Sequence, residues 1–344
     1  MRMNLKQLSE HLGLSQTTVS RALNGYPEVS ESTRLRVQKA AEAGNYRPNQ
    51  RAMTLAKGKA MTIGHVIPVS SQNDVLNPIF SEFIAAASAT YSAHGYELML
   101  STAPAGKEEN VYRSLAARRA VDGVLLHSPL KNDSRIAVVK ELGLPFVVHG
   151  RALNEKEENY CWVDMDSENA FKLATQLLLD LGHRKIALLN GVETMTYAWL
   201  RRCGYLQALK SNGLDIDDAL MTSADLTETY GYKTATEMLK RDSRPTAFLV
   251  SSYIVALGVR RAISQCNLTI GKDVSVVIHD DELSYFDNGS SVPQFTSTRS
   301  SVRDAGHLAA EALLKLIQNP DNKPQSTLVP TQLVIGSSTG RCRT

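Results

Sequence analysis

From Met61 onward the chain alternates short β-branched or aliphatic runs with longer stretches of helical spacing, and it does so in two successive series. In the first, "MTIGHVIPV", "YELMLS", "DGVLLHS" and "PFVVHG" predict strands, with helical spacing over Ile79–His94, Glu108–Arg119 and Ser134–Leu142 between them. In the second, "RKIALLNG", "AFLV" and "VSVVIHDD" predict strands, with helices near Ser167–Leu181, Ala198–Asn212, Tyr230–Leu239 and Ile254–Gln265. Strands that alternate with helices imply parallel sheets covered on both faces. Two such series imply two lobes, and the 344 residues leave room for one further small domain.

Ligands of open α/β sheets bind beyond the carboxyl ends of the strands. Those ends deliver His127 and Ser128, His149 and Arg151, Ser251 and Ser252, and Asp280 and Asp281. Carboxylate, guanidinium, imidazole and hydroxyl groups converging on a cleft suit a polyhydroxylated ligand such as a sugar. Singly, each has a plainer reading: Asp281 as a cap, His149 on a backbone carbonyl. Catalysis is not expected. The chain has neither a glycine-rich phosphate loop nor a nucleophile elbow, and two adjacent aspartates diverge rather than flank one substrate. Cys161, Cys203, Cys266 and Cys342 are isolated, and the eight histidines have no ligand spacing, so neither a metal nor a cofactor is expected.

The first sixty residues have a different texture. In "NLKQLSEHLGLS", Leu5, Leu8 and Leu12 form one helical stripe that Gly13 interrupts, where a helix end favours a residue tolerant of positive φ. Ser15 follows as an N-cap for "QTTVSRAL", whose Val19, Ala22 and Leu23 share one face while Gln16, Thr17, Ser20 and Arg21 share the other. A third helix is predicted in "SESTRLRVQKAAEAG", with Ser30 as cap, Val37, Ala40 and Ala41 inward, and Gly44 at the stop. Two short helices across a tight turn make a helix-turn-helix, whose second helix can lie in a DNA major groove. Charge agrees. Residues 1–60 carry a net +6 and the remainder −3, which confines a polyanion contact to the head. No run approaches the ~18 apolar residues of a membrane span, and the start lacks an apolar signal region, so a cytoplasmic, membrane-free protein is expected.

Over residues 4–340 the sequence resembles the lactose-repressor/galactose-repressor family of bacterial transcription regulators. The resemblance is carried by "LKQLSEHLGLSQTTVSRALNG", "VSESTRLRVQKAAEAGNYRPNQRAMTLAKG", "GHRKIALLNG", "RRCGYLQAL", "GKDVSVVIHDDE" and "TSTRSSVRDAGHLAAEALL". It implies an α/β chain in which a helix-turn-helix head (1–46) and a hinge helix (47–60) precede a two-lobed core of the type I periplasmic-binding-protein kind (61–344). The lobes would comprise about 61–161 plus 290–318, and 162–289 plus 319–340. Gln16, Thr17 and Arg21 would read operator bases, while Leu5, Ser15, Ser20, Asn24 and Asn49 would sit on phosphates. The matching hinge segment orders only on operator DNA, with Leu55 wedged into the minor groove beside Ala52. Arg201, Asp280 and Phe80 match effector-binding positions, and His127, Ser128, Arg151 and Ser252 complete the expected site.

Two departures sit at the cleft mouth: Ser252–Tyr253 replaces a common Asn-Asp, and Ile278 a frequent glycine. The implied function is a homodimeric repressor of carbohydrate-utilisation genes on a pseudo-palindromic operator, released by a sugar. "PFVVHGR" and "STRSS" look like segments of members that sense disaccharides, α-glucosides especially. Alternatives are a corepressor-dependent, purine-type regulator and a cytosolic sugar-binding protein.

Overall fold

A computed structural model describes residues 3–46, 59–69, 78–153, 156, 159–286, 288–289, 291–321 and 323–343. The chain divides into two compact units, Met1–Met61 and Thr62–Thr344.

The first unit is built from α1 (Leu5–Leu12), α2 (Gln16–Leu23) and α3 (Glu31–Ala43). Local capping chemistry sets each start. Asn4 and Gln7 satisfy each other's backbone amides at 2.9 Å, while the Ser15 and Ser30 hydroxyls accept from the amides of Thr18 and Thr33. Gly13 ends α1 in the left-handed region at φ 63°. Leu8, Leu12, Val19, Ala22, Val29, Val37 and Ala41 form one buried cluster, against which Leu5, Leu23 and Ala40 are half-buried. The Arg36 guanidinium donates to the Leu12 carbonyl at 2.8 Å and ties α3 to the end of α1.

The second unit runs β1 (Thr62–Val69), α4 (Pro78–Ala93), β2 (Glu97–Pro104), α5 (Glu108–Ala117), β3 (Gly123–His127), α6 (Ser134–Glu141), β4 (Phe146–His149) and β5 (Cys161–Met165). It continues with α7 (Ser167–Asp180), β6 (Ile186–Asn190), α8 (Thr196–Ser211), β7 (Met221–Ser223), α9 (Glu228–Leu239), β8 (Ala247–Val250), α10 (Tyr253–Gln265) and β9 (Ser275–Asp280). Last come β10 (Thr296–Arg299), α11 (Val302–Gln318), β11 (Ser326–Val329) and β12 (Gln332–Val334). One sheet has the order β11-β5-β4-β3-β1-β2, the other β12-β10-β9-β8-β6-β7. Neighbours pair in parallel except β12, which runs antiparallel to β10. β3, β6, β8 and β9 are buried along their whole length, as strands covered on both faces must be.

The lobe boundaries differ from the sequence expectation. β5 pairs with β4 and β11, so the first lobe runs to Met165 and takes back 302–329. Residues 296–299, expected in the first lobe, pair with β9 and belong to the second. The chain therefore crosses between lobes after β5, between β10 and α11, and between β11 and β12. The alternation reading did not place β5, β7, β10, β11, β12 or α11. β10 shows why: its "TST" is polar yet fully buried, so a hydropathy pattern cannot see it.

Helix packing on the second lobe depends on glycine. A Cβ on Gly204 of α8 would stand 2.0 Å from the Glu168 carbonyl oxygen of α7, and one on Gly258 of α10 equally close to the Glu228 carbonyl of α9. Gly204→Ala gains about 1 kcal/mol of helix propensity but must push two packed helices apart, at a cost of about 1–3 kcal/mol or more. The substitution is therefore expected to lower the urea midpoint with the m-value unchanged. A midpoint equal to wild type would show that the helices separate without strain.

Candidate functional site

In the head, Gln16, Thr17 and Arg21 are exposed together on one face of α2, opposite the buried Val19 and Ala22. Ser20 is half-buried beside them. Two of the residues expected on phosphates have local tasks. The Ser15 hydroxyl caps α2, and the Asn24 side-chain amide donates to the Ser20 carbonyl at 2.8 Å. Leu5 packs its side chain against the head core, which leaves its backbone amide, in the first turn of α1, as its polar group for an anion. Asn49, Ala52 and Leu55 lie outside the described residues.

In the second unit the carboxyl ends of both sheets face a cavity of about 450 Å³, within the usual range for small-molecule sites. Pro68, Phe80, Ser128 and His149 line it from the first lobe, and Tyr197, Arg201, Ile254 and Asp281 from the second. One side of the mouth is laced shut by backbone bonds between lobes. Lys131 donates to Thr194 at 3.1 Å and Thr196 to Pro129 at 3.0 Å, around a bridge between Leu130 and Met195.

The geometry corrects several expected positions. His127 does not reach the cavity. It is the fully buried last residue of β3, with Nε2 3.1 Å from His65 Nδ1 and its ring edge-on to Phe80. The next residue, Ser128, turns through φ 47° and lines the cavity instead. Arg151 stands behind the wall, its Nε 3.0 Å from Asp164, and it is Asp164 that lines the cavity. Ser252 is buried as the N-cap of α10, accepting from the Val255 amide. Asp280 accepts from the Glu282 amide at 3.0 Å and lies 3.8 Å from Arg299, on the side away from the cavity. Of the two adjacent aspartates, it is Asp281 that lines the cavity. Successive residues at a strand end point to opposite sides, so moving one position along exchanges wall for interior. Phe80, Ser128 and Arg201 line the cavity.

Arg201 and Asp281 dominate the electrostatics. The Arg201 guanidinium lies between the rings of Tyr197 (4.9 Å) and Phe171 (5.2 Å) and donates from Nη1 to the Ser251 carbonyl at 2.8 Å. Its buried Nε has no hydrogen-bond partner among the described residues. Burial pushes the Asp281 carboxyl up, but His279, 3.4 Å away, and Arg201 outweigh it and hold the group below the ordinary aspartate value. Asp164 goes the other way: burial raises it to about 6 despite Arg151. His149, stacked on Phe83 at 4.1 Å, is pushed down by burial to about 4 and is neutral near pH 7. The wall thus offers a cationic donor, anionic acceptors and an imidazole beside apolar surface. That set can hold hydroxyl groups in fixed directions.

Among the described residues no helix is long and apolar enough to cross a membrane, and no cluster of His, Cys, Asp or Glu could hold a metal ion.

Comparison with known proteins supplies the context. Residues 4–49 match the "Bacterial regulatory proteins, lacI family" and residues 175–339 the "Periplasmic binding protein-like domain". The HTH-type transcriptional regulator AglR of Rhizobium meliloti (strain 1021) is 44% identical over 340 residues, 99% of this chain and 95% of that protein. The chain belongs to the LacI family. The lac repressor dimer bound to operator and the anti-inducer ONPF superposes with a TM-score of 0.83 at 28% identity, covering 99% of this chain and 100% of that one. The complex of the transcriptional regulator CelR with cellobiose gives a TM-score of 0.72 at 28% identity, covering 98% and 100%. This LacI-family protein is accordingly a DNA-binding transcriptional regulator, with its helix-turn-helix in the first unit and its cleft in the second.

Proposed function

We propose that this regulator is a cytoplasmic, homodimeric repressor of carbohydrate-utilisation genes, released from a pseudo-palindromic operator when a sugar enters the cleft. The observation that carries the reading is the buried Arg201, with an unpartnered Nε at a wall that also presents Asp281. A guanidinium and a carboxylate side by side bind vicinal hydroxyls, one accepting and one donating, and ring-stacking surface such as Phe80 holds the sugar face. The CelR–cellobiose complex supports the same use of the fold. A purine corepressor is less well supported, because Tyr253 and Phe286 stack on each other in the second-lobe core at 5.2 Å and Tyr285 points to solvent. Exposed Tyr285, Val292 and Ile335 on the second lobe supply apolar surface for a dimer contact. Sugar need only prefer one lobe arrangement over the other to shift the DNA-binding equilibrium.

The direct test is a mobility shift on a palindromic fragment from the gene's own promoter region, with and without mono- and disaccharides. A complex that no sugar dissociates would sink the inducer reading. On the DNA side, Gln16, Thr17 and Arg21 are the base readers, with Leu55 and Ala52 at the minor groove. Arg21→Ala is expected to cost about 1–3 kcal/mol at the cognate operator and to relax discrimination at one base pair. Equal losses on cognate and scrambled DNA would make Arg21 a phosphate contact only.

A further inference from the structure

Resting on the sugar reading, we propose that the cleft selects uncharged polyols and rejects their phosphorylated counterparts, with Asp164 as the first-lobe hydroxyl acceptor and Arg151 as the residue that positions it. The lining carboxylates are Glu108, Asp164, Asp225, Glu228 and Asp281, drawn from both lobes. Each guanidinium near them already has a carboxylate beside it. Arg135, itself on the cavity wall, makes a bidentate pair with Asp133; its Nη1 makes no hydrogen bond among the described residues but stands 3.5 Å from the Glu108 carboxylate. Arg261 grips Glu228 through bonds of 2.8 and 3.0 Å. Arg151 lies over the Trp162 ring and gives its Nε to Asp164.

Arg201 remains, and its charge faces Asp281 and Asp164 together. A phosphate entering this wall gains no cation without a carboxylate already beside it, and such like-charge juxtaposition opposes binding. A neutral polyol meets no such penalty. Its hydroxyl oxygen can accept from Arg201 Nε while its hydroxyl hydrogens go to Asp281 and Asp164. Asp164 lies on β5 of the first lobe and Asp281 follows β9 of the second, so hydroxyls donating to both must span the two lobes. The same bonds that select the ligand therefore favour the lobe arrangement in which both acceptors are in reach.

The test is titration calorimetry of the full chain against maltose, trehalose, sucrose and cellobiose, each paired with its 6-phosphate. The neutral sugar that binds best is expected to exceed its phosphate by about a hundredfold. D164N is expected to weaken that sugar about tenfold and to narrow the gap between the pair, which a merely structural role would not do. Should D164N fail to fold, R151Q reads the same site: it removes the cation that offsets the burial of Asp164 and is expected to weaken the neutral sugar likewise. A phosphate that binds as well as its neutral partner overturns charge selection and leaves the sugar reading standing. Unchanged affinity and gap in the variants remove Asp164 from the site. Failure of every sugar, neutral or phosphorylated, overturns the sugar reading and this proposal with it.

Discussion

Asp281→Asn is expected to weaken sugar binding by ten- to a hundredfold and to leave a protein that still binds operator but no longer responds. Hydrogen bonds to a charged acceptor contribute about 1.5–3 kcal/mol, roughly twice a neutral one. The carboxylate is buried and ionised at neutral pH, because His279 and Arg201 offset the penalty of burial. Asparagine preserves shape but presents a donor where a sugar hydroxyl needs an acceptor, and it removes the charge that faces Arg201. Arg201→Ala is expected to act in the same direction, since it removes the Nε donor and the filling between Tyr197 and Phe171. The discriminating control is Asp280→Asn. Its carboxylate serves the Glu282 amide and Arg299, so sugar affinity should change little. Calorimetry on the three variants decides, and a large loss in Asp280→Asn with none in Asp281→Asn would reverse the assignment.

Acid is the second large effect. Under α4, Tyr91, His65 and His127 form a hydrogen-bonded column with steps of 3.0 and 3.1 Å, and His149 stands next to it. Burial depresses all three histidines, His65 to about 3 and His149 to about 4. A base depressed in the folded state contributes stability above its unfolded pKa of ~6.5, and loses it as pH falls below that value. At pH 4 the fully buried His65 alone accounts for on the order of 3 kcal/mol, a sizeable part of a typical net stability of about 5–15 kcal/mol. His127 and His149 add in the same direction. Asp164 opposes them, because a raised carboxyl gains stability as pH drops through about 6. The balance favours loss, so the melting temperature of the second unit should fall steeply between pH 6.5 and pH 4. His65→Gln should flatten that slope, and a wild-type melting temperature constant over the range would refute the account.

The head was legible because its determinants are local. Capping by Ser15 and Ser30, the left-handed Gly13 and the apolar stripes of Leu5, Leu8 and Leu12 and of Val19, Ala22 and Leu23 act within a few residues, and the structure repeats them. The alternation of strand and helix was legible for a similar reason. Strands buried on both faces are mostly apolar, as β8 is throughout and β3 and β6 are up to their last residues, His127 and Asn190.

Which strand joins which sheet was not legible. β5, β10 and β11 are assigned by long-range pairing, and β10 can be polar because its two threonine hydroxyls find partners inside the core, Thr296 with Thr339 and Thr298 with His279. The cleft depended on tertiary structure in the same way. Sequence put polar and charged groups at the strand ends, but facing the cavity is a matter of one residue: Ser128 rather than His127, Asp281 rather than Asp280. Side chains alternate along a strand, so the residue at which each strand turns away decides which of two neighbours faces the cavity. The residue turned inward is held inside its own lobe, His127 by His65 and Phe83 and Asp280 by the Glu282 amide and Arg299. Sequence alone specified a basic helix-turn-helix head and polar residues at the strand ends; only the packed sheets decided which atoms form the cavity wall.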